Sequence, residues 1–209
     1  MKIGNPKTLE FQVVRTSLLP GLLKTIRENR SHPLPIKVFE STDVVFKDRS
    51  LERQARNVRH AAAVWCNKSA GFEIVHGLLD KVMKTCEVQR ISASDTKSES
   101  GYYLKEKEGK GGSKSLSHLS QTLKVTTIDP TYFPGRAAAI YYRPAPSSKK
   151  HSGLAAVKES IKSAFGSHPD VEIGSVGILH PSVLEKFEIQ YPCSALEITL
   201  EPFRQGTHL

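Results

Sequence analysis

Val58-Arg59-His60-Ala61-Ala62-Ala63-Val64-Trp65-Cys66, followed closely by Phe72-Glu73-Ile74-Val75-His76-Gly77-Leu78-Leu79-Asp80-Lys81-Val82-Met83-Lys84-Thr85-Cys86, decides the fold. The first run is mostly small and apolar, which suits a strand at the centre of a sheet. In the second, Val75, Leu78, Leu79, Val82, Met83 and Cys86 recur at spacings of three and four, while Glu73, Asp80, Lys81 and Lys84 fall off that stripe. This is an amphipathic helix with one face in a core, and Met83 reads as core packing rather than as part of a cofactor pocket.

The rest of the chain follows the same grammar. Ile36 to Glu40 alternates as a strand, and Asp43 to Phe46 reads as a second strand segment. Lys47 to Asn57 is polar and reads as a turn or loop. A short strand is expected at Phe11 to Val14, and others at Leu123 to Thr127, Ala137 to Tyr142, Ile173 to Leu179 and Ala195 to Glu201. Ser17 to Asn29 reads as a helix with Pro20 in its first turn and Leu18, Leu19, Leu22, Leu23 and Ile26 on one face. His180 to Phe187 reads as a short helix begun by Pro181. Hairpin-like pairs at 36–46 and 123–142, with helices between strands, predict an α+β domain with a largely antiparallel sheet and helices on one face. One domain is expected over residues 1–203, with insertions at about 92–121 and 144–170 and a tail at 204–209. Leu154 to Phe165 could form a short helix in the second insertion. Gly109-Lys110-Gly111-Gly112-Ser113-Lys114-Ser115 superficially resembles a phosphate loop, but it lacks the Walker spacing and no strand leads into it. A flexible insertion is the preferred reading.

Composition narrows the function classes. No apolar run approaches the roughly 18–20 residues that span a bilayer, so a soluble, cytoplasmic protein is expected. Cys66, Cys86 and Cys193 stand far apart and fit neither a disulfide scaffold nor a zinc site. The net charge of +9 is uneven: residues 1–60 carry twelve Lys and Arg against six Asp and Glu. A basic surface attracts polyanions such as tRNA, but the charges sit singly and no aromatic ladder suggests stacked bases. On charge alone, a solvated basic face is preferred.

Four stretches carry a resemblance. They are Asn5-Pro6-Lys7-Thr8 with Arg15-Thr16-Ser17-Leu18-Leu19-Pro20-Gly21-Leu22-Leu23, then Ile36-Lys37-Val38-Phe39-Glu40, then Phe133-Pro134-Gly135-Arg136, and last Gly177-Ile178-Leu179-His180-Pro181-Ser182-Val183-Leu184. The strand Ala195-Leu196-Glu197-Ile198 fits as well. In this order they resemble the beta subunits of phenylalanyl-tRNA synthetases of the cytosolic eukaryotic and archaeal type. The resemblance implies a class II aminoacyl-tRNA synthetase-like antiparallel sheet flanked by helices, in the subunit's C-terminal, catalytically degenerate domain. It also implies assembly with a catalytic alpha subunit in an alpha2-beta2 heterotetramer. ATP and Mg2+ would then serve the holoenzyme, with no cofactor in this chain, and contact with tRNA(Phe) is possible. The family subunit is longer, so the chain reads as a fragment of it. The alternative is a basic tRNA- or RNA-binding module without a synthetase partner.

The resemblance also marks what is missing. Class II catalysis clamps the ATP α-phosphate with the arginine of an F-R-x-E loop, and the matching place reads Val45-Phe46-Lys47-Asp48. Lysine is a point charge without the planar fork of arginine. The second signature is a glycine-rich strand ending in arginine. Its counterpart, Ser194 to Phe203, has no glycine and no arginine before Pro202. No catalytic, cofactor-binding or metal-ligating residue is therefore expected. Arg15 and Arg136 are candidates for contact with a partner surface or with tRNA phosphate, against the preferred reading that each fixes local structure. Pro134 and Gly135 are assigned to a turn, and His180 with Pro181 to a helix cap.

Overall fold

A computed structural model of the chain describes residues 2–9, 12–94, 100–106, 130–144 and 170–203. The strand expected at Leu123–Thr127, the helix expected at Leu154–Phe165, the glycine-rich run at 109–115 and the tail at 204–209 lie outside the described residues, as does most of both expected insertions.

Helix α1 spans Leu19–Glu28 and buries Leu19, Leu22, Leu23 and Ile26, the residues its spacing puts on one face. It leads into strand β1, Ile36–Lys47, which pairs antiparallel with β2, Ala55–Cys66, over its whole length. Helix α2, Phe72–Thr85, follows. Strands β3, Gly101–Glu106, β4, Tyr132–Arg143, and β5, Val171–Leu179, come next. Helix α3, Pro181–Lys186, and strand β6, Cys193–Thr199, precede a 3-10 turn at Glu201–Phe203. Among the described residues, six strands form one sheet in the order β1-β2-β6-β5-β4-β3, each neighbouring pair antiparallel.

The last strand is thus inserted beside β2, in the middle of the sheet. Helices cover both faces, not the single face expected. Leu22, Leu23 and Ile26 of α1 pack with Val44, Val58, Val64 and Leu184 on one face. Val75, Leu79 and Met83 of α2 pack with Ile140, Val176, Leu196 and Ile198 on the other. Between two covered faces, residues 193–198 of β6 are all buried. Alternation along that strand cannot mark an inside and an outside there.

Three further departures share one cause, pairing with distant strands. Residues 36–47 are a single strand and not a two-segment hairpin, because β2 supplies a partner for every residue from Ile36 to Lys47. Phe133-Pro134-Gly135-Arg136 is a protrusion within β4: Tyr132 pairs with Leu179 and Ala137 with Gly177, so four residues lie opposite Ile178 alone. Gly135 has φ +70 there, which favours glycine. Residues 101–106, inside a stretch read as an insertion, form β3 against β4. Of the short strand expected at 11–14, Phe11 lies outside the described residues, and Val13 makes an isolated bridge with Lys2 in place of a strand.

Candidate functional site

The start of α1 is pinned to the sheet by a buried carboxylate. Glu197 points from β6 toward the α1 face and is 8% exposed. Its Oε1 accepts from the Leu18 backbone N–H at 3.1 Å and pairs with His60 Nδ1 at 2.8 Å. Its Oε2 accepts from the Ser17 hydroxyl at 2.6 Å. The Ser17 hydroxyl oxygen in turn accepts from the Leu19 N–H at 3.2 Å. The first turn of a helix leaves N–H groups without intrahelical partners and carries a partial positive charge. Here a carboxylate from the opposite end of the chain supplies the acceptor and the negative charge.

Burial pushes the Glu197 pKa up, but hydrogen bonds from His60, Ser17 and the Leu18 N–H outweigh it and hold the carboxyl below its usual range. The group is therefore ionised at neutral pH. His60 comes from β2, where its ring also lies 5.9 Å from that of Phe46.

Beside this cluster is an open cavity of about 430 Å3, over β5 and β6 and bounded by α1 and α3. Its walls are mainly apolar, from Leu19, Pro20, Leu23, Ile173, Val183 and Phe187, and its polar lining includes Glu197, His60, Ser17 and Ser175. The Ser175 hydroxyl donates to Tyr132 Oη at 3.0 Å. Among the described residues, no lysine or arginine lines the cavity. Gly174 lets β5 approach β6 closely: a Cβ there would lie 2.1 Å from the Glu197 carbonyl oxygen.

None of the residues singled out from the sequence, Arg15, Pro134, Gly135, Arg136, His180 and Pro181, lines this cavity. Arg15 staples the segment before α1 to β1. Its Nη1 donates to Glu40 Oε1 at 2.7 Å, Nη2 to Thr42 Oγ1 at 2.8 Å and Nε to the Asp43 carbonyl at 3.1 Å. Its carbonyl accepts from the Val45 N–H at 3.0 Å. Arg136 is exposed on the β4 protrusion with Pro134 and Gly135. His180 Nδ1 accepts from the Ser182 N–H at 3.2 Å, capping α3, whose first residue is Pro181. The Phe133 ring stacks on His180 at 6.0 Å, so the 133–136 and 177–184 stretches meet. Thr131, Tyr132 and Val183 carry them to the cavity edge, opposite the stretch 16–23.

Sequence reasoning missed Glu197, His60 and Ser175. The available signal was polarity out of place: a carboxylate within an apolar final strand and a histidine in an alanine-rich one. Lys47 lies exposed at the end of β1. Among the described residues, no group of three or more His, Cys, Asp or Glu could hold a metal ion, and no helix is long and apolar enough to cross a membrane.

A family model described as the phenylalanyl tRNA synthetase beta chain CLM domain matches residues 1–200. The phenylalanine–tRNA ligase beta subunit of Drosophila melanogaster is 48% identical over 201 residues, which are 96% of this chain and 26% of that protein. That of Schizosaccharomyces pombe is 42% identical over 200 residues, 96% of this chain and 27% of that protein. The Homo sapiens subunit is 40% identical over 201 residues, again 96% and 26%. The chain spans about a quarter of the length of the curated relatives it matches. Among solved structures, a pyrrolysyl-tRNA synthetase from Desulfitobacterium hafniense is similar at a TM-score of 0.48 and 15% identity, over 90% of this chain and 48% of that one. That likeness is too remote to bear on function.

Proposed function

Because the chain belongs to the phenylalanyl-tRNA synthetase beta-chain family, we propose that it is a non-catalytic module of a phenylalanine–tRNA ligase beta subunit. In this reading its sheet is a class II synthetase fold that has lost its phosphate clamps. It assembles with a catalytic alpha subunit, in an alpha2-beta2 enzyme of the cytoplasm, and supports ATP-dependent attachment of phenylalanine to tRNA(Phe). ATP and Mg2+ serve the holoenzyme, with no cofactor held by this chain.

The observation that carries the non-catalytic reading is the electrostatics of the cavity. Glu197 puts an ionised carboxylate in its wall, and among the described residues no arginine or lysine lines it. A like charge about 4 Å from a phosphate oxygen costs about 4 kcal/mol at an effective dielectric of 20, before any desolvation. A site that activates ATP needs the opposite arrangement, with cations converging on the phosphates. Lys47 in place of the F-R-x-E arginine, and a final strand without glycine or arginine, agree with this. Of the two arginines singled out, Arg15 is engaged by Glu40, Thr42 and Asp43. The exposed Arg136 is the one we assign to contact with the alpha subunit or tRNA.

Co-expression with a matching alpha subunit tests the assembly. The expected result is a stoichiometric complex by native mass measurement, and no phenylalanine-dependent ATP–pyrophosphate exchange by this chain alone. Exchange by the isolated chain would overturn the non-catalytic reading. Failure to co-purify with alpha would overturn the assembly reading.

A further inference from the structure

The cavity between α1 and α3 has features of a ligand site. Its volume of about 430 Å3 falls within the roughly 300–1,000 Å3 of small-molecule pockets. Like them, it combines apolar walls with a few polar groups at one end. Leu19, Leu23, Val183 and Phe187 form much of the wall, while Glu197, itself 8% exposed, lies with Ser175 at the sheet.

The chemistry of the polar end selects the ligand. An ionised carboxylate offers about four lone-pair directions. On Oε1, the Leu18 N–H and His60 occupy two. On Oε2, Ser17 occupies one, which leaves a direction for a further donor. An anion finds no complement here, because among the described residues no lysine or arginine lines the cavity. The helix N-terminus that could attract one already has its Leu18 and Leu19 N–H groups bonded to Glu197 and Ser17.

We propose that this cavity binds a small primary amine with an apolar body, the ammonium donating to Glu197 Oε2 and the body lying between α1 and α3. Ser175, directly across from Glu197 in the β5–β6 register, is a further polar group within the site. A free amino acid is a poorer fit than the corresponding amine, because its carboxylate would meet Glu197 without a compensating cation. The site is independent of the assembly reading.

The test is a titration of the purified chain with 2-phenylethylamine, followed by calorimetry and by amide chemical shifts. Phenylacetate, with the same body and an anionic head, is the control. Saturable binding of the amine in the millimolar range or tighter is expected, with shifts centred on Leu19, Leu23 and Val183. Phenylacetate is expected to bind at least tenfold more weakly. Glu197→Gln is expected to weaken amine binding at least tenfold. If that variant does not fold, Ser175→Leu, which fills the floor and leaves the carboxylate in place, is expected to do the same. The proposal is overturned by absent saturation, by equal binding of phenylacetate, by shifts centred elsewhere, or by unchanged affinity in a folded Ser175→Leu. It is also overturned if a crystal structure shows another segment of the chain seated in the cavity.

Discussion

Replacing Glu197 with alanine removes the acceptor for three groups at once. The Ser17 hydroxyl, the Leu18 N–H and the His60 ring all converge on the carboxylate, at 2.6, 3.1 and 2.8 Å. A buried donor left without a partner costs about 1–3 kcal/mol. Ser17 can turn toward solvent in the cavity, whereas the Leu18 N–H is fixed by the backbone of a buried residue. The loss is therefore expected at about 2–6 kcal/mol, one such cost each for the Leu18 N–H and the His60 ring. That is a large part of the roughly 5–15 kcal/mol that stabilises a typical domain. Urea unfolding of the variant and the parent, followed by far-ultraviolet circular dichroism, measures it.

The same group gives a pH signature with a definite sign. The Glu197 pKa in the fold lies below its ordinary value of 4.5. Its contribution is therefore complete above the unfolded value and is lost as pH falls through the folded one. The stability gap between the parent and Glu197→Gln should be constant at neutral pH and shrink only below about 4.5. A Glu197→Ala loss under about 1 kcal/mol, or a gap independent of pH down to the acid transition, would refute the idea that this carboxylate anchors α1.

Other perturbations probe separate parts of the fold. Leu23→Ala, at a residue 2% exposed against β1 and β2, should lower the unfolding free energy by about 2–5 kcal/mol in urea titration. Gly174→Ala would force a Cβ to within 2.1 Å of the Glu197 carbonyl oxygen. Separating β5 from β6 should cost at least about 1–3 kcal/mol and lower the thermal midpoint. Arg15→Ala, despite three hydrogen bonds, removes a half-exposed side chain from a surface pair, and should cost no more than about 1 kcal/mol by the same urea assay.

Much of the element order was legible because it is written in local spacing. Leu19, Leu22, Leu23 and Ile26 mark α1, Val75, Leu79 and Met83 mark α2, and Pro181 opens α3. The four signature stretches likewise pointed to the family, since they depend only on residue identity and order. The Phe133–Arg136 stretch was legible as a break in regular backbone, but not as a protrusion from a strand that continues beyond it. Pairing with Leu179 and Gly177 across β5 makes it one.

The sequence by itself determined the helices, most of the strands and the family. Only the tertiary structure decided that β6 enters beside β2, that both faces of the sheet are covered, and that Glu197 anchors the residues leading into α1 from across the chain. Ser17 and Glu197 are 180 residues apart, and His60 and Glu197 are 137 apart. Hydrophobic spacing reports which face of an element is apolar. It carries no record of which distant element will bring a donor to a buried charge, because that choice is made when the sheet closes.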